Sequence, residues 1–201
     1  MSNLMAKRKT LVDSMMRDAI YEGAVAVLAE HGLNGATMDR VAAAAGVAKG
    51  SLYNYFRSKD ELLAFVHEKT IQPLLDANDE VATSDQPASA KIEAMLRNWR
   101  RYIGEHRATF QMLIKNSNCE GVLKEAALKK NETVVNLIAE IINDGIESGE
   151  FRSVNAQYAG EMLLSAAKGS LEAEFAEGVE RSDDETIDTL VGVFLHGLCA
   201  N

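Results

Sequence analysis

The stretch AAAAGVAKGSLYNYFRSKDELL, Ala42 to Leu63, decides the fold. An alanine run stops at Gly46, a segment of about two turns starts near Lys49, and Arg57-Ser58 interrupts it again. That segment carries Leu52, Tyr53, Tyr55 and Phe56 but opens on Lys49-Gly50-Ser51. Isolated helices shorter than roughly 12 residues are marginal in water. Neighbouring helices must therefore hold this one by one face, which leaves another face for a different task.

Reading outward supplies those neighbours. From Leu11 to Glu30, Ile20, Ala24, Val27 and Leu28 recur at helical spacing, and HGLNG ends the run with two glycines. Thr37 stands where an N-cap belongs, and Met38, Val41, Ala42 and Ala45 make one stripe of a short second helix. Gly46 suits the left-handed position that closes it. Leu52 and Phe56, one turn apart, anchor the third helix. Helix, tight glycine turn and helix, with apolar anchors on both sides, is a helix-turn-helix pattern. Ser58-Lys59-Asp60-Glu61 reads as a capping box opening a fourth helix, which Pro73 is expected to bend or break.

Beyond it, ATSDQPASA (Ala82 to Ala90) reads as a loop. Ile92, Met95, Leu96, Trp99 and Ile103 mark a long amphipathic helix, and a shorter one carries Phe110, Leu113 and Ile114. Leu123 to Ile146 is a further long helix stopped at Gly149, with two more around Ala156 to Ala176 and Asp184 to Cys199. Strand alternation and internal repeats are absent from this pattern. The expectation is an all-α chain of about nine helices, divided into a helix-turn-helix domain at 1–58 and a larger helical body at 59–201.

Charge follows the same division. Up to Lys59 there are eight basic and five acidic residues, a net of +3, while the remainder carries −12. A basic end on an acidic body suits an encounter of that end with a polyanion, although a solvated surface explains so small an excess as well. No apolar run is long enough to span a bilayer, and MSNLMAKRKTLVDSMM lacks the apolar centre of a signal peptide. Cys119 and Cys199 are far apart, as expected of reduced thiols in a cytoplasmic protein. The four histidines are scattered, so no metal site is expected, and no nucleophile motif, phosphate loop or cofactor fingerprint suggests an enzyme.

With Leu52 and Phe56 turned inward, Lys49, Gly50, Ser51, Tyr53, Asn54 and Tyr55 fall on or beside the outer face of the short helix. An α-helix fits the major groove of B-DNA, and the first residues of such a helix usually meet base edges. Lysine reaches guanine or phosphate, serine and asparagine bond to either, and tyrosine hydroxyls donate to phosphate. Lys59 at the start of the fourth helix and Thr37 at the start of the second are expected to clamp phosphates. The alternatives are partial burial for Tyr53 and Tyr55, and simple capping for Thr37. Lys7-Arg8-Lys9 reads as a solvated, disordered start or a minor-groove contact.

The same residues carry a family resemblance. ATMDRVAAAAGVAKGSLYNYFRSKDELL resembles the DNA-binding signature of the tetracycline-repressor (TetR) family of bacterial transcriptional regulators. The matching elements are Thr37, Val41-Ala42, Ala45-Gly46-Val47, Lys49-Gly50, Leu52-Tyr53, Tyr55-Phe56 and Ser58-Lys59. GIESGEFRSVNAQYAGEML resembles, more weakly, the junction before that family's last two helices. Ala48 departs from the serine common before the recognition helix, so no DNA contact is expected there and a cap is lost.

The resemblance implies a homodimer built on the last two helices and a ligand-binding body whose small-molecule effector weakens binding to a palindromic operator. The expected dimer face comprises Ala159, Gly160 and Ala167 with Ile187, Leu190, Val191, Phe194 and Leu198. Met95, Trp99, Tyr102, Phe110 and Met162 are the candidate effector contacts, although such a stripe is also what plain core looks like. Methionine suits flexible ligands, so a mainly apolar, aromatic or acyl-bearing effector is expected. One of Arg97, Arg100, Arg101 and Arg107 would meet any acidic group on it.

Overall fold

A computed structural model describes residues 2–116 and 122–199, and among these the chain forms nine α-helices. They are α1 (Ser2–Gly35), α2 (Met38–Ala44), α3 (Lys49–Tyr55), α4 (Lys59–Ala82), α5 (Ala88–Glu105), α6 (Arg107–Asn116), α7 (Val122–Glu147), α8 (Ala156–Glu177) and α9 (Asp183–Leu198). Cys119 lies outside the described residues, and Cys199 is a free, exposed thiol. Among the described residues no helix is long and apolar enough to cross a membrane.

Two compact units divide the chain. The first comprises Met1–Thr70 with Ala108–Ala126, the second Ile71–Arg107 with Ala127–Asn201. The division falls after Thr70, not after Ser58 as expected. Leu62, Leu63 and Val66 of α4 are buried with Ile20, Val27, Val41, Leu52 and Phe56, so the first turns of α4 belong to the helix-turn-helix core.

Within the first unit, α1 begins at Ser2 and includes the basic Lys7-Arg8-Lys9 stretch, for which a solvated, disordered start and a minor-groove contact are the two expectations. Gly32 interrupts it in the left-handed region (φ +66°), where the HGLNG signal places a stop. Gly46 takes φ +67° after α2, and the Val47 amide donates to the Ala42 carbonyl at 2.9 Å, closing the turn. A β-carbon on Gly23 would stand 2.6 Å from the Ala45 backbone nitrogen. This glycine is therefore what lets α1 and the end of α2 meet backbone to backbone. Ser58 Oγ accepts from the Glu61 amide at 3.1 Å as a capping box requires, but the Glu61 carboxylate reaches one residue further back, to the Arg57 amide at 2.7 Å.

Helix α4 continues through Pro73 instead of ending there. Proline removes one donor and crowds the carbonyl four residues earlier, a cost that the packing of Leu74 and Leu75 offsets. The second unit's core is one cluster built from α4 (Leu74, Leu75), α5 (Ile92, Met95, Trp99), α7 (Ile138, Ile141, Ile142), α8 (Leu163, Leu164) and α9 (Leu190, Leu195, Leu198). Pro87 gives α5 no side-chain cap, so Glu150 does that work from the α7–α8 connection. Its carboxylate accepts from the amides of Ala88 (2.8 Å) and Ser89 (3.0 Å) and from the Ser89 hydroxyl. Glu174, fully buried on α8, takes a bidentate pair from Arg100 at 2.8 and 3.3 Å. Arg100 also binds Asp183 at the start of α9. A bridge between Phe151 and Cys199 holds the end of α9.

Candidate nucleic-acid interface

Helix α3 has seven residues and no side-chain cap, because Ala48 occupies the N-cap position. Its place is set from beneath: Leu52 is wholly buried and Phe56, just past its end, nearly so. That leaves Lys49, Gly50, Tyr53 and Asn54 exposed and Ser51 half-buried, with 43% of Tyr53 open to solvent. Thr37 is exposed at the start of α2, where its hydroxyl accepts from the Arg40 amide at 3.3 Å, so it is an N-cap whatever else it touches.

Three of the expected DNA contacts, Tyr55, Lys59 and Lys49, have partners inside the first unit. The Tyr55 hydroxyl donates to Asp13 at 2.9 Å, and its half-buried ring lies under the Arg17 guanidinium, 5.8 Å from its centre. The Asp13 hydrogen bond leads burial in holding that phenol above its ordinary pKa. Tyr55 thus faces α1, not outward. The Lys59 ammonium donates to the Leu33 carbonyl, and Arg40 to Gly35 at 2.6 Å, so two cations close the carbonyl end of α1. Lys49 stays exposed but pairs with Asp39 at 2.6 Å, a contact that raises its pKa and keeps it charged.

The last helices differ more from expectation. Ile187, Leu190 and Leu198 are buried within the protomer, and Val191 and Phe194 are half-buried against the same cluster, with Ala159 and Ala167. Gly160 is buried as well, since a β-carbon there would lie 3.1 Å from the Val135 carbonyl of α7. The apolar stripe of α9 therefore faces its own core. What α8 and α9 expose is Tyr158 (64%), Met162 (63%) and Val193 (67%), with open space beside Gly169, Gly192 and Gly197. Within one protomer, then, Ile187, Leu190, Leu198 and Gly160 of the expected dimer face are buried, while Ala159, Ala167, Val191 and Phe194 stay half-buried.

Of the candidate effector contacts, Met95 and Trp99 are buried and Tyr102 half-buried in the second unit's cluster. Phe110 is buried and belongs to the first unit, while Met162 lies on the exposed face of α8. Trp99 has a partner that sequence reasoning missed: its indole N–H donates to Asn78 Oδ1 at 2.9 Å. Asn78 follows Leu74 and Leu75 on α4 at helical spacing, and a polar residue in an apolar register is the signal that could have found it. The four arginines are engaged too. Arg97 pairs with Glu93, Asp184 and Asp188, Arg100 with Glu174 and Asp183, Arg101 with Asn98, and Arg107 with the Val179 carbonyl and the Phe175 ring.

Known proteins share this arrangement. A family model described as bacterial regulatory proteins, tetR family, matches residues 20–66, and one described as tetracyclin repressor-like, C-terminal domain, matches residues 85–198. The chain is 25% identical over 149 residues to the fatty acid metabolism regulator protein of Bacillus subtilis, spanning 72% of this chain and 76% of that one. It is 25% identical over 140 residues to the HTH-type transcriptional repressor KstR2 of Mycobacterium tuberculosis, spanning 68% and 69% of the two. The solved structure of FadR from Bacillus subtilis in complex with stearoyl-CoA has the same fold, with a TM-score of 0.78 at 20% identity, over 90% of this chain and 98% of that one.

Proposed function

The chain belongs to the TetR family of bacterial regulatory proteins, and from that premise we propose that it is a cytoplasmic, ligand-responsive repressor that binds a palindromic operator as a homodimer. The observation that carries this reading is the division of labour on α3. Leu52 and Phe56 fix the helix while Lys49, Gly50, Ser51, Tyr53 and Asn54 remain accessible to a major groove. Thr37 joins them from α2. Tyr55 and Lys59 act at one remove, holding α3 and α4 on α1.

One recognition helix reads few base pairs, so two-fold repetition is the usual route to specificity. The dimer face is proposed on the exposed Tyr158, Met162, Gly169, Val193 and Gly197 with the half-buried Gly192, rather than on the stripe of Ile187, Leu190 and Leu198 buried in the protomer. The effector is proposed to be mainly apolar and to enter the body beside Met95, Trp99 and Tyr102. In support, the Bacillus subtilis regulator of the same fold holds stearoyl-CoA, and the cluster here is aliphatic, aromatic and methionine-bearing. Effector binding need shift the equilibrium by only about 1–3 kcal/mol to weaken operator binding roughly 5- to 150-fold.

Selection of duplexes from a random pool with the full-length protein tests this. An enriched inverted repeat, lost with Tyr53→Ala, is the expected result. A pool that stays random, or enrichment indifferent to Tyr53→Ala, would overturn it.

A further inference from the structure

We propose that Asn78 is the polar anchor of the effector site and selects a neutral carbonyl group on an otherwise aliphatic ligand. The inference rests on the reading of the body as an effector-binding domain and names the chemistry of that site. Asn78 is fully buried on α4. Its Oδ1 accepts from Trp99, and an indole nitrogen is a donor only, so the amide cannot be turned the other way round. Its Nδ2 is therefore directed elsewhere, and there it has no hydrogen-bond partner.

An unpaired buried donor is costly, and most buried polar groups are satisfied. The hydrogen-bond partner of Asn78, Trp99, packs in the buried cluster with Leu74, Leu75, Ile92, Met95 and Leu96 of α4 and α5. A carbonyl oxygen needs one donor, and the chain attached to it is at home among leucine, isoleucine and methionine. Arg97, Arg100, Arg101 and Arg107 are already engaged with acceptors of the protein. A neutral ester, thioester or ketone carbonyl thus fits Nδ2 better than an ionised headgroup.

Trp99 is the chain's single tryptophan and touches Asn78 directly, so its fluorescence reports occupancy. The intact protein is titrated with methyl octyl ketone and with the alkene in which methylene replaces the carbonyl oxygen. One hydrogen bond formed in an apolar site predicts a preference of roughly 5- to 30-fold for the ketone, which Asn78→Leu should abolish. Should Asn78→Leu lose its helical circular dichroism, Asn78→Leu/Trp99→Phe removes both polar partners together and is titrated calorimetrically. Methyl decanoate should also bind more tightly than decanoate. Equal binding of ketone and alkene, a preference that survives loss of Asn78, or tighter binding of decanoate would each overturn the anchor. Binding of neither probe would overturn it as well. The duplex selection above is independent of all these readings, so a failed anchor is distinguishable from failed DNA recognition.

Discussion

At Lys49 the proposed DNA contact would set two anions competing for one ammonium. Asp39 holds it at 2.6 Å in the free protein, with both side chains exposed. Exposed ion pairs are weak and easily screened, so a DNA phosphate can take the lysine over. On the proposed reading, the carboxylate left behind would face the DNA backbone and oppose indiscriminate binding. Asp39→Asn is therefore expected to tighten binding to both the inverted repeat and a scrambled duplex severalfold, with a smaller gap between them. Fluorescence anisotropy with the two duplexes measures this, and weaker binding to both would contradict the assignment. At Gly23 the matter is steric. A β-carbon would press on backbone atoms of Ala45, which cannot rotate away as a side chain can. Gly23→Ala should cost about 1–3 kcal/mol in urea unfolding, and an unchanged midpoint would mean that the two helices are not in contact.

At the scale of elements, local signals were legible and distant partners were not. The Gly46 turn, the Thr37 and Ser58 caps and the stripe of α5 each lie within a few residues of sequence, which is the range over which caps and periodicity act. Tyr55 with Asp13, Trp99 with Asn78 and Arg100 with Glu174 join residues 42, 21 and 74 positions apart. Nothing in a helical pattern indicates such pairings, so Tyr55 was expected to face outward. The α9 stripe shows a related limit of the pattern: periodicity identifies an apolar face but not which surface it meets. The start of α5 depends on another distant partner, Glu150. Burial pushes the Glu150 carboxyl up, but hydrogen bonds from the Ser89 hydroxyl and from the Ser89 and Ala88 amides outweigh it and hold its pKa below the ordinary glutamate value. A carboxyl depressed in the folded state stabilises fully above its unfolded pKa, and that share is lost as pH falls through the folded value. Stability of the wild type should thus fall more steeply than that of Glu150→Gln as pH drops below the ordinary glutamate pKa. Parallel denaturation curves between neutral and acid pH would remove Glu150 from the cap.

For the molecule as a whole, the proposed subunit association would use surface that the protomer leaves uncovered. Val193→Glu adds a charge where two thirds of the side chain is already open, and is expected to give folded monomers with weakened operator binding. Phe194→Glu would place charge against the core cluster and should damage the fold itself. Light scattering beside circular dichroism separates the two outcomes, and a dimeric Val193→Glu protein would move the interface elsewhere. Control by effector carries a reciprocal demand, since operator DNA must weaken effector binding by the factor with which effector weakens operator binding. All of this depends on α3 meeting a duplex through its exposed face. The most direct measurement is the affinity of wild type and Tyr53→Ala for the selected inverted repeat and its scrambled counterpart across a range of salt concentrations. The account predicts tight, salt-steep binding of the repeat by the wild type, with the preference over the scrambled duplex falling sharply in Tyr53→Ala at unchanged helicity. Equal affinity for both duplexes in the wild type, or a preference untouched by Tyr53→Ala, would contradict it.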